Sequence, residues 1–142
     1  MNVNKFGFTA CIDEKANKKL YLYQNIEKIL NNKLDLTNYT QNITEIVFVY
    51  IALDPEMLFK ENDFTKFRRK SKIVEIGINL NYAELLLATE DETLEILAEA
   101  YLQGIEKYLL PRKDFNGNQF YNDVKQLFTE HRLLKLQNEI LA

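Results

Sequence analysis

One cysteine, one histidine, two prolines and four glycines are spread over 142 residues, and each scarcity removes a class of answer. A single cysteine, Cys11, forms no internal disulfide, which fits a reducing compartment and argues against a stapled secreted scaffold. His131 stands beside Glu130 with no second histidine or cysteine near it, so zinc-ligand spacing is missing and it reads as a surface residue. Pairing it with Cys11 as a nucleophile would use a mid-strand cysteine with no signature around it. So few prolines and glycines, with no long polar tract, argue against disorder. The opening "MNVNKFGFTACID" holds no apolar run of signal-peptide length, and no segment approaches a membrane span. A cytoplasmic protein is expected, in which the sequons at Asn38 and Asn42 carry no meaning.

What is present is the composition of an ordinary globular domain, 46% hydrophobic and 27% charged, long enough to bury a real core. No internal repeat or second domain shows, so residues 1–142 are expected to form one domain.

The periodicities place the elements. In "KFGFTACID", Phe6, Phe8, Ala10 and Ile12 share one face, the period of a half-buried strand. From Glu14 to Leu34 the apolar spacing is helical, and "DLTNYTQN" is a polar connector. "ITEIVFVYIAL" (Ile43 to Leu53) is apolar on both faces and reads as a central strand. Asp54-Pro55 can cap and open a short helix over "PEMLFKE". A basic loop follows, then a strand in which Val74, Ile76, Ile78 and Leu80 point one way. Asn81 to Ala88 is a short helix, and Thr89 with Glu92 forms a capping box for a longer one that Pro111 stops. Asn116-Gly117 marks the tip of a turn, before a last helix from about Gln119 to near Leu136. The first helix can cross over between the first two strands, and the third strand would pair antiparallel with the second. The expectation is an α+β fold, a small mixed sheet of three or four strands with about four helices.

Charge is segregated along this chain. Residues 73–110 carry one cation, Lys107, against eight carboxylates, net −7 in a protein of net −3. Glu92, Glu95, Glu99 and Glu106 recur at steps of three, four and seven, one line along a helix face. They lack the Glu-x-x-His pairs of a di-iron bundle, and a glycosidase pair would converge across a cleft. Two readings remain: a solvated helix face, or a surface that meets a basic partner.

Directly before this block, "FTKFRRKSK" interleaves Phe64 and Phe67 with Lys66, Arg68, Arg69, Lys70 and Lys72. Cations among aromatics suit single-stranded nucleic acid, but the run is short and the acidic chain beyond it repels phosphate. A structural role, guarding a strand against edge pairing, fits better.

The same stretch carries a resemblance. "FRRKSKIVEIGINLNYAELLLA" (Phe67 to Ala88) is similar to the central block of a bacterial immunity-protein family, numbered forty-four among polymorphic-toxin immunity proteins. That block has an aromatic residue, a basic cluster, an alternating strand, and an Asp- or Asn-aromatic pair opening a helix. Here these are Phe67, Arg68 to Lys70, Ile73 to Leu80 and Asn81-Tyr82, with Asn81 in place of an acidic residue. The resemblance implies a small cytoplasmic protein, monomer or homodimer, that neutralises one cognate toxin by occlusion. The toxin would belong to a contact-dependent inhibition or secretion system and be of basic nuclease type. No catalysis, cofactor, metal, membrane or nucleic acid is implied. On this reading Glu92, Glu95, Glu99 and Glu106 contact the toxin. The alternatives are an adaptor domain, homodimeric through Ile43–Leu53, and a nucleic-acid-binding regulator using Phe67 to Lys72. An enzyme comes last, since no nucleophile–base pair or metal cluster is legible.

Overall fold

The computed structural model describes residues 6–12, 21–53 and 62–134. Strand β1 (Phe6–Ile12) is followed by helix α1 (Tyr23–Lys33), a 3-10 turn at Leu36–Asn38 and strand β2 (Glu45–Ala52). Next come β3 (Phe64–Arg68), β4 (Ile73–Asn79) and the short helix α2 (Tyr82–Leu87). The long helix α3 (Glu90–Gly104) runs into a π turn at Ile105–Leu109, and α4 (Gly117–Glu130) completes the order. The fold is the expected α+β class: among the described residues, one mixed sheet of four strands with four α-helices. The short helix expected over Pro55–Glu61 lies outside the described residues.

The sheet order is β1-β2-β4-β3, with β1 and β4 both parallel to β2, and β3 antiparallel to β4. This corrects the expectation that the third predicted strand would run antiparallel to the second. The cause is parity. The stretch expected as a basic loop contains β3, and one more strand reverses the chain once more before β4 begins. β2 is interior, as its apolar sequence suggests, and its two neighbours occupy both of its edges. A homodimer through Ile43–Leu53 could therefore form only across a sheet face.

Two further corrections concern α4. Asn116 is not a turn tip but its N-cap, the side-chain oxygen accepting from Gln119 N at 3.2 Å, so Gly117 is already helical. The helix ends at Glu130, short of Leu136, and Arg132 follows in the left-handed region with φ 59°.

One face of the sheet carries the core. Phe6, Phe8, Ile46, Phe48, Tyr50, Val74, Ile76 and Ile78 are buried there, together with Ile26 and Leu30 of α1. From α3 and α4 come Leu97, Ala98, Tyr101, Phe120, Val124 and Phe128. Aromatic rings dominate the contacts. Tyr101 stacks on Phe48 with centroids 3.8 Å apart, and Phe6 stacks on Phe120 at 5.6 Å. Gly104 lets α3 come this close, because a Cβ there would lie 2.5 Å from the Phe48 ring.

Both edges of the sheet are guarded. On the β1 side, Asn31 of α1 accepts from Phe6 N at 3.1 Å and donates to Phe6 O at 2.9 Å, as a neighbouring strand would. Glu27, one turn earlier, accepts from the Phe8 N–H; burial nevertheless pushes its carboxyl above the usual range, and nearby Glu45 adds to the rise. On the β3 side, Lys66 and Arg68 are exposed charges on a short strand, the arrangement expected of gatekeepers.

Candidate functional site

Helix α2 is one and a half turns long and sits just before α3. Asn81 caps it, its side-chain oxygen accepting from Glu84 N at 3.0 Å. Tyr82 and Leu85, three residues apart, point into the core. Leu87, at the end of the helix, points out and is 86% exposed. After Ala88 the chain turns into α3 through the capping box anticipated from the sequence. Thr89 Oγ1 accepts from Glu92 N at 3.2 Å, and Glu92 Oε1 accepts from Thr89 N at 2.9 Å. Three carboxylates, Glu90, Asp91 and Glu92, occupy the first turn, where the positive end of the helix dipole favours them.

Between α2 and α3 runs an open groove of about 270 Å³. Its lining is Glu84, Leu87, Ala88, Glu92, Glu95, Ile96 and Glu99. The fold thus brings Glu92, Glu95 and Glu99 of the predicted row onto one wall. It adds Glu84, which a one-helix pattern could not supply. Glu106 is exposed but lies apart from the groove lining, beyond the start of the π turn, which breaks the α-helical register of the row. Glu92 has a second duty as part of the cap. Lys107, the one cation of residues 73–110, donates to Asp63 at 3.0 Å. Carboxylates around an apolar floor can attract and hold cationic side chains. Among the described residues, no three or more His, Cys, Asp or Glu side chains are grouped so as to hold a metal ion. No helix among those residues is long and apolar enough to cross a membrane.

A second polar hollow, of about 560 Å³, lies between residues 37–42 and 113–116. Here Asp114 is paired. Arg112 forks onto Asp114 with two bonds of 2.8 Å, and Asn42 donates to the same carboxylate at 2.9 Å. These donors, Arg112 first, hold the Asp114 carboxyl below its usual range. Thr40 donates to the Asp114 carbonyl at 2.8 Å, and Tyr39 donates to Asp123 at 2.7 Å; burial, helped by this bond, pushes the Tyr39 phenol up.

This corner also bears on the basic run. The Arg112 guanidinium lies 4.8 Å from the Phe67 ring centroid, the Phe64 ring covers Gly77, and Arg68 pairs with Glu75. Both aromatics of the run are therefore committed to packing within the fold. His131 is exposed at the C-terminal end of α4.

No curated protein and no solved structure matches this chain. The family model described as Immunity protein 44 matches residues 4–130, which takes in all four strands, α1 to α4 and the acidic groove. The match extends the similarity seen at Phe67–Ala88 to most of the sequence, and the chain belongs to the Immunity protein 44 family.

Proposed function

We propose that this protein binds a cognate bacterial toxin domain in the cytoplasm and neutralises it by covering it, without chemistry of its own. The observation that carries this reading is family membership over residues 4–130. The charge layout supports a toxin of basic, nuclease type. A nuclease holds phosphate with cations, and a surface built from a block of net −7 attracts those cations from a distance and competes with nucleic acid for them. In this reading Glu92, Glu95, Glu99 and Glu106 belong to the contact surface, with the first three acting together along the groove.

The test is co-expression with a candidate toxin domain, expected to be encoded directly upstream of this gene. The expected result is relief of growth inhibition and a stoichiometric complex on co-purification. A toxin whose activity is unchanged by saturating amounts of this protein would refute the reading.

A further inference from the structure

We propose that the sheet face turned away from the core is a self-association surface, on which a second copy of this chain lies face to face with the first. Strand alternation puts Val47 and Val49 of β2, Ile73 of β4 and Phe64 of β3 on that face. All four are half-buried, and none belongs to the core cluster. The described helices bury their apolar residues on the opposite face, with Phe8, Phe48 and Ile76. β1 and β4 both run parallel to β2, and parallel strands are as a rule covered on both faces. Among the described elements, this apolar parallel face is the one without a covering layer.

Charge selects a second copy as the cover. The outward charges of these rows are Glu45, Glu75, Lys66 and Arg68, two of each sign, so the face carries no net charge to repel its own copy. A basic toxin gains no long-range attraction from a neutral patch. Arg68 pairs with Glu75, whereas Glu45 and Lys66 make no ion pair among the described residues. Glu45 leans over β1, its carboxylate oxygen 2.8 Å from where a Cβ on Gly7 would stand. The register sets Gly7, Val47, Glu75 and Lys66 in one row across the sheet. A two-fold axis parallel to the strands, running between β2 and β4, lays β3 of each copy over β1 of the other. Lys66 then comes down above Gly7, where the Glu45 carboxylate lies, and symmetry makes this pair twice. In the next row, Val49 meets the Phe64 ring that covers Gly77 of the other copy.

Three such rows across four strands span on the order of 300 Å² per copy. A standard interface takes roughly 800 Å² per partner, so the dimer should be weak, with Kd on the order of 100 μM. Sedimentation equilibrium of the protein alone, without toxin, measures it. Lys66→Glu, a change at an exposed position, should weaken the dimer about tenfold. Adding Glu45→Lys to it should restore the Kd to within about threefold of wild type. Val49→Lys should abolish the dimer, and the charge-swap pair decides the matter if that variant folds poorly. Wild type that stays monomeric at about 1 mM overturns the proposal. So does a Lys66→Glu variant that dimerises as wild type does, since the contact then lies on another surface. If wild type is monomeric and Val49→Lys instead loses toxin binding, the face belongs to the toxin. The toxin-neutralising reading stands or falls separately, because none of the dimer measurements includes the toxin.

Discussion

The groove and the corner around Asp114 are both polar surface features, and they are built differently. In the corner the carboxylates meet donors: Arg112 and Asn42 on Asp114, Tyr39 on Asp123. In the groove, four carboxylates share a lining with Leu87, the most exposed large hydrophobic residue among those described. Paired, partly buried charge ties loops together and contributes to stability. An exposed apolar side chain on an open groove contributes little to folding. The contrast predicts that changes in the corner cost stability, whereas changes in the groove cost binding.

The largest stability effect should come from the corner. Asp114→Ala leaves Arg112 and Asn42 without their acceptor, and about 2 kcal/mol of folding stability should be lost in urea titrations. The pH profile carries the same signature. A carboxyl whose folded pKa is lowered adds stability above its unfolded value of about 3.9 and loses it as pH falls through the folded pKa. Wild type should therefore lose part of its stability below about pH 4, and Asp114→Ala should show a shallower acid decline. An equally steep decline would mean that the fork onto Asp114 is not felt in solution.

An intermediate effect belongs to the wall that joins fold to groove. Thr89→Ala removes one half of the capping box and should cost about 1 kcal/mol in the same titration. The smallest effect belongs to the groove rim. Glu84→Gln, at an exposed position, should change stability by no more than about 0.5 kcal/mol. A loss there as large as that of Asp114→Ala would erase the distinction between the two regions and make the rim part of the scaffold.

Much of this arrangement is legible in the sequence because it rests on local rules. The alternation in Phe6–Ile12 and Ile73–Asn79, the capping box at Thr89–Glu92 and the stop at Pro111 each follow from neighbours within a turn or two. The row Glu92, Glu95, Glu99 is likewise a matter of helical spacing, and those three residues do line one groove. What escaped is of another kind. β3 is hidden because an edge strand can carry Lys66 and Arg68 where an interior strand could not, so its sequence looks like a loop.

From that one strand the direction of β4 followed, since the parity of reversals depends on every element being counted. The π turn at Ile105–Leu109 ends the α-helical register before Glu106 and separates it from its row. Spacing along one helix could not bring Glu84 to the same groove or leave Leu87 exposed within it, because both positions depend on how α2 packs beside α3. The sequence by itself determined which residues are helical, which are acidic and which face inward, since these depend on short-range periodicity and capping. Tertiary structure alone decided strand direction, the pairing of Arg112 with Phe67 and the meeting of carboxylates with an exposed leucine. Those outcomes depend on contacts between segments far apart in the chain, which no local pattern encodes.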